Sequence, residues 1–278
     1  MTLKPYIQLM RLEKPIGILL LWFPAAFALW VANHGEPPFR LVFYFLFGTI
    51  VMRSAGCVVN DLADRHVDKH VSRTAQRPLT TGAVSVPGAI ALLIILLFFA
   101  FFIVIQLPTQ CFYYALVGLF VTILYPFCKR YIQAPQLVLS LAFSVSIPMV
   151  YTASGVSLNT DTLLLLILNM LWVVAYDTMY AMVDRADDLR LGVKSTAVLF
   201  GTHDRWIIGV LQMIMHALWL FMTFHLGKLF YLGWIIASLV LIYQQFLIAE
   251  REPKACFNAF QCSAVYGFVM WLTLWFLG

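Results

Sequence analysis

Apolar runs near 20 residues long recur along this chain from Pro15 almost to its end. That is the length of a helix crossing a bilayer. The composition agrees: 62% of the 278 residues are hydrophobic, 11% are charged and the mean hydropathy is +0.88, whereas a globular domain carries about 25% charged residues. The chain therefore reads as a single multi-pass membrane domain over residues 1–278, not as a soluble domain with a large core. Nine spans are predicted, near 15–33, 40–59, 87–106, 110–127, 135–153, 162–182, 206–225, 229–249 and 259–277. The first has no small-residue cleavage site of a secretory signal, and the first residues are not an organelle presequence.

Lysine and arginine orient these spans. Of the 18 basic residues, fifteen fall in the N-terminus, 60–86, 128–134, 183–205 and 250–258. The opposite segments hold only Arg40 and Lys228, and Arg53 lies inside the second span. The positive-inside rule then puts the N-terminus on the cytoplasmic side and the C-terminus outside. The charge of +5 flanks apolar runs, as topogenic charge does, so nucleic acid is not an expected partner. The five cysteines form no CxxC pair, and His66, His70, His203, His216 and His225 show no metal-ligand spacing.

Against this background two acidic motifs stand out. Asp64 and Asp68 lie in Asn60-Asp61-Leu62-Ala63-Asp64-Arg65-His66-Val67-Asp68, and Asp184 and Asp188 lie in Asp184-Arg185-Ala186-Asp187-Asp188. On a helix, positions i and i+4 share a face, so each pair is expected to aim two carboxylates at one point. Both motifs fall at the cytoplasmic ends of their spans, the second four helices after the first. That offset suggests two parallel four-helix repeats plus a ninth helix. Ionised carboxylates at a membrane face persist when paired, hydrated or ligating a cation, and oxygen donors suit Mg²⁺ shared with substrate phosphates. Basic residues surround the motifs: Arg65, Arg73, Arg77, Arg185 and Lys194, with Tyr125 and Lys129 as a YxxxK at the inner end of the fourth span. Arg53, about two helical turns deeper than Asn60, is too deep to be topogenic and needs an anionic partner.

Asn60-Asp61-xx-Asp64-Arg65-xx-Asp68, the following RTAQRPLTTG and YDTMYAMVDRADDLRLGVKSTAVLFG together resemble the UbiA superfamily of membrane prenyltransferases. The opening Met10-Arg11-Leu12-Glu13-Lys14-Pro15-Ile16-Gly17 looks like its bacterial branch acting on 4-hydroxybenzoate in ubiquinone synthesis. The resemblance covers nearly the whole chain. It departs in the last span, where an asparagine-rich stretch is replaced by Phe257-Asn258-Ala259-Phe260-Gln261. It implies an all-α membrane fold around a central cavity open to lipid. It also implies Mg²⁺-dependent transfer of a polyprenyl group from its diphosphate to the ring carbon ortho to the hydroxyl of 4-hydroxybenzoate. Carried over, Asp64, Asp68, Asp184 and Asp188 hold magnesium beside Asn60 and Asp61. Arg65, Arg77, Lys129 and Lys194 clamp the diphosphate, and Tyr125 belongs to the YxxxK motif. Arg53 is the candidate for the aromatic carboxylate. Rival readings are a prenyltransferase using a naphthoate or haem and, further off, a parallel-repeat transporter. The latter predicts mid-helix charges in several spans, whereas here ionisable residues gather at one face. The DGxxAR signature of alcohol-phosphotransferases is absent.

Overall fold

The computed structural model describes residues 3–71, 73–222 and 227–276. It is helical throughout, with no strand among those residues. In chain order the helices are α1 (Lys4–Leu9), α2 (Ile16–Ala32), α3 (Phe39–Asp64), α4 (Pro78–Thr81), α5 (Val86–Val104), α6 (Thr109–Tyr131), α7 (Pro135–Ser144), α8 (Ser146–Ala153), α9 (Thr160–Leu191), α10 (Thr196–Phe200), α11 (Asp204–Phe221), α12 (Lys228–Leu247) and α13 (Pro253–Thr273). Short 3₁₀ turns follow α3, α10 and α13. His225 and the end of the expected span 206–225 lie outside the described residues.

Seven elements are long and apolar enough to cross a membrane: α3, α5, α6, the α7–α8 pair, α9, α12 and α13 with its 3₁₀ end. α2 is apolar but shorter, at 17 residues, and α11 carries Gln212 and His216 in its middle. The nine-span count is therefore not confirmed by length and composition, although α2 and α11 complete the expected order. The fifth span is not one continuous helix. Pro148 has no N–H to donate to the carbonyl of Ser144, and the helix breaks at Val145 between α7 and α8.

Local chemistry sets the ends of the helices that matter for the site. α9 starts on a capping box between Asn159 and Thr162 and stops at Gly192, whose φ of +69° admits the left-handed turn at a helix end. It runs nine residues past the predicted limit at 182, so the expected 183–205 loop begins as helix up to Leu191. α3 stops at Asp64, the first residue of its pair. Val67 N–H donates to the Asp64 carbonyl, and Thr74 Oγ1 donates to the Asp68 carbonyl at 3.1 Å. The chain thereby curls into a 3₁₀ turn at Asp68–His70. The expectation that Asp64 and Asp68 share one helix face is thus corrected, whereas Asp184 and Asp188 do share a face on α9.

Two cores result. The larger joins α2, α8, α9, α11, α12 and α13 through Phe23, Phe27, Trp172, Trp219 and Tyr266. The smaller packs α1 and α4 onto α3 and α5 around Leu9, Val51, Val58 and Leu79. Phe98, Phe99, Phe101 and Phe102 of α5 remain about half exposed, as lipid-facing side chains are.

Candidate active site

The C-terminal ends of α3, α6 and α9 converge, and charged pairs tie them together. Lys129 Nζ of α6 lies 3.2 Å from Asp64 of α3. Arg73, in the loop after α3, pairs with Asp184 of α9 and places its guanidinium 4.7 Å from the centre of the Tyr180 ring. Arg190 donates to the His70 carbonyl at 2.7 Å and pairs with Asp187. Both acidic motifs therefore stand on one face of the protein. Fourth among the membrane-crossing elements after α3, counting α7–α8 as one, α9 brings its motif back beside the first.

Asp61, Asp64, Asp68, Asp184 and Asp187 each pair with a cation, whereas Asp188 has the Ser195 hydroxyl beside it. Arg77 Nη1 bridges Asp61 at 3.0 Å and Asp68 at 2.7 Å. Asp61 is almost wholly buried and also accepts from Arg11 Nη2 at 2.5 Å. Burial holds the Asp68 carboxyl above its ordinary value of 3.8, against the pull of Arg77 and the Thr74 hydroxyl. Burial opposes the charge on Arg73, but Tyr180 and Asp184 overcome it and raise its pKa. Lys194 Nζ donates to the Tyr131 carbonyl at 2.9 Å, and its amide donates to the Lys129 carbonyl, docking the segment after α9 on the end of α6.

A cavity of about 310 Å³ lies between α3, α5, α6 and the α7–α8 pair, and its lining residues Arg11, Asn60 and Tyr125 mark the end next to this cluster, its mouth. Its polar wall holds Arg53, Asn60, Tyr125, Cys57 and Arg11, and its apolar wall includes Phe45, Leu97, Phe101, Phe112, Leu119 and Met149. Tyr125 stacks under Lys129, with 5.2 Å from Nζ to the ring centre. Asn60 Oδ1 is buried without a hydrogen-bond partner. Arg53 makes no hydrogen bond or ion pair with any described residue. Its charge acts at longer range on the buried Asp177 of α9 and on Tyr125 and Tyr176.

The structure thus brings together Asp61, Asp64, Asp68, Arg77, Lys129, Asp184 and Asp188 at the mouth, and Arg53, Asn60 and Tyr125 inside. Arg65 is the exception. It lines a separate groove of about 490 Å³ between α3, α5 and α6, next to His66 and Arg130. Arg185 turns away too, pairing with the fully buried Asp204, which Arg251 also holds at 2.9 Å. Arg11 is the residue sequence reasoning missed. Its place before the first apolar run reads as topogenic, yet it reaches the cavity wall from a backbone φ of +54°. The only signal was its membership of the RLEKPIG stretch.

No three His, Cys, Asp or Glu side chains among the described residues form a ready cage for a metal ion. The donors nevertheless fit Mg²⁺, which takes one or two carboxylates and fills its shell with waters and phosphate oxygens. Four hard carboxylates and the unpaired Asn60 oxygen supply that chemistry.

Residues 21–275 match the model of the UbiA prenyltransferase family. A 4-hydroxybenzoate octaprenyltransferase of Legionella pneumophila (strain Corby) is 54% identical over 97% of this chain and 96% of its own. One of Coxiella burnetii (strain CbuK_Q154) is 45% identical over 96% and 94%. Among solved structures, the apo UbiA homologue of Aeropyrum pernix K1 superposes with a TM-score of 0.75 at 24% identity, over 94% of this chain and 96% of that one. A UbiA homologue of Archaeoglobus fulgidus bound to GPP and Mg²⁺ superposes with a TM-score of 0.63 at 19% identity, over 96% and 99%. The chain belongs to the UbiA prenyltransferase family and is an enzyme.

Proposed function

We propose that this UbiA-family enzyme transfers a polyprenyl group from polyprenyl diphosphate to the ring carbon ortho to the hydroxyl of 4-hydroxybenzoate, a step toward ubiquinone. The names of the relatives indicate an octaprenyl tail. The observation that carries the reading is Arg53, a guanidinium without a direct ion pair on the wall of an apolar cavity whose mouth, at Arg11, Asn60 and Tyr125, adjoins a cluster of carboxylates and cations. Two anionic groups of different kinds suit those two places. The diphosphate fits the mouth, and the aromatic carboxylate fits the depth.

Asp64, Asp68, Asp184 and Asp188 would hold Mg²⁺, which when bound draws charge from the departing diphosphate. Lys129, Arg77 and Arg73 stand at those carboxylates and add charge-assisted hydrogen bonds to phosphate oxygens. Arg65 and Lys194, placed at the rim, act on the diphosphate only if their present carbonyl and groove contacts are exchanged. Arg53 takes the carboxylate of 4-hydroxybenzoate in its planar fork. The C–O bond at C1 of the tail breaks with its electron pair going to the diphosphate. The ring carbon bonds to C1, and a carboxylate of the α9 motif takes the ring proton. The apolar wall excludes water, which would otherwise capture the allylic cation. We place the mouth on the cytoplasmic side of a bacterial inner membrane, with the N-terminus inside, on the strength of the fifteen-to-two basic asymmetry.

The test is product analysis. Purified protein with Mg²⁺, octaprenyl diphosphate and 4-hydroxybenzoate should release diphosphate and yield the 3-octaprenyl product. No product with this acceptor, but product with a naphthoate, would overturn the assignment.

A further inference from the structure

We propose that Gly17 is a positioning residue for Arg53, its missing side chain being the space in which the Arg53 guanidinium lies. The inference rests on the reading of Arg53 as the ligand of the aromatic carboxylate. Gly17 is the second residue of α2 and is buried. A Cβ built on it would stand 2.5 Å from Arg53 Nε and 2.7 Å from Cζ, and would also strike Nη2. Three atoms of one guanidinium thus occupy the place of a single methyl group. The glycines along α3 differ. Gly48 and Gly56, on the cavity wall, would accept a Cβ at 3.9 and 3.6 Å, an ordinary contact.

This close approach matters because no direct bond holds the guanidinium among the described residues. Arg53 has no hydrogen bond or ion pair among the described residues, so contact shape, together with the longer-range attraction of the buried Asp177, sets its direction. The backbone of α2 closes one side of the guanidinium, and the cavity with Asn60 and Tyr125 lies on the other. A bidentate carboxylate contact depends on that direction, since the fork must lie in the plane of its partner.

The position also predicts how a substitution divides between stability and function. Arg53 ends a flexible chain, so it can swing away from a methyl on Gly17 at little cost to packing. The displacement should instead appear in substrate binding. Gly267 is the contrasting case. Its Cβ would meet the rings of Phe23 and Trp172, which are locked in the main core. There the neighbours cannot leave, and overpacking falls on stability.

The experiment compares wild type with Gly17→Ala, Arg53→Ala, the double variant and Gly267→Ala, reading thermal unfolding in detergent and kcat/KM for each substrate. Gly17→Ala should lower kcat/KM for 4-hydroxybenzoate about tenfold, the scale of one misdirected charge-assisted bond. It should leave the value for the polyprenyl diphosphate and the melting temperature unchanged, while Gly267→Ala should melt earlier. Because Gly17 acts through Arg53, adding Gly17→Ala to Arg53→Ala should change nothing further. Multiplying effects in the double variant would overturn the proposal, as would a Gly17→Ala protein that only melts earlier. A non-additive loss confined to the diphosphate substrate would uphold the coupling of Gly17 to Arg53 and overturn the ligand assigned to Arg53.

Discussion

Replacing Asp61 tests whether the first acidic motif has a structural part as well as a ligand-binding one. Its carboxylate is 2% exposed and neutralises two guanidiniums, Arg11 at 2.5 Å and Arg77 at 3.0 Å. Through them it ties α1 and the segment leading into α4 to the end of α3, beside the smaller core. Removing one partner of a buried ion pair costs about 3–5 kcal/mol. Two features reduce that here. Arg11 is 22% exposed and regains some water, and Arg77 keeps Asp68 at 2.7 Å. Asp61→Ala should therefore cost about 3 kcal/mol, at the lower end of that range. Asp61→Asn keeps the shape and one acceptor and loses only the charge, so it should cost about 1–2 kcal/mol. Thermal or denaturant unfolding in detergent gives both values. Among the described residues Asp61 is the one carboxylate paired with Arg11, so Asp61→Asn should cost less in an Arg11→Gln background than alone. A wild-type melting curve for Asp61→Ala, or strict additivity with Arg11→Gln, would refute the reasoning.

Other expectations follow from the same structure. Asp64→Ala, Asp68→Ala, Asp184→Ala and Asp188→Ala should each nearly abolish turnover while the protein still inserts, and chelation should silence wild type until Mg²⁺ returns; full turnover without metal would rule out the ligand set. Burial alone would raise the pKa of Asp204, at the foot of α11, but the bonds from Arg251 and Arg185 lower it below the ordinary 3.8. A depressed carboxylate pKa stabilises the fold above 3.8 and loses that contribution as pH falls through the lower, folded value. Wild type should thus lose stability on acidification below about 3.8 more steeply than Asp204→Asn, and parallel pH–stability curves would contradict this. In a background without accessible thiols, a cysteine at residue 80 should label only from the cytoplasmic side and one at residue 158 only from the outside. Labelling of both from one side would overturn the orientation.

The membrane class, the order of the helices and the meeting of the two motifs were legible because each rests on a local signal. Hydropathy marks a span within about 20 residues, and the matched spacing of the aspartates needs no tertiary information. The sites that were not legible depend on contacts distant in sequence. Arg11 lies 50 residues before Asp61, and a basic residue before a first span has an ordinary topogenic explanation that hides this role. Gly17 and Arg53 meet only because α2 and α3 pack side by side. Arg65 and Arg185 share a place in their motifs, yet one lines an outer groove and the other pairs with Asp204. Equal spacing in sequence did not give equal direction in space.

That inequality follows from how each motif is mounted. On α9 the helix continues to Leu191, so Asp184 and Asp188 are held by backbone hydrogen bonds in a register that Gly192 ends. On α3 the helix ends at Asp64, and Asp68 is held from the far side of a turn by Thr74 and Arg77. Those two residues belong to the same loop as Arg73, which reaches Asp184 and Tyr180 on α9. The loop after α3 therefore connects both carboxylate pairs. The position of Asp68 depends on the segment that clasps the other motif. Arg73, which the sequence sets among the basic residues around the motifs, and Arg190, which donates to the His70 carbonyl, are side chains through which the two halves of the site touch.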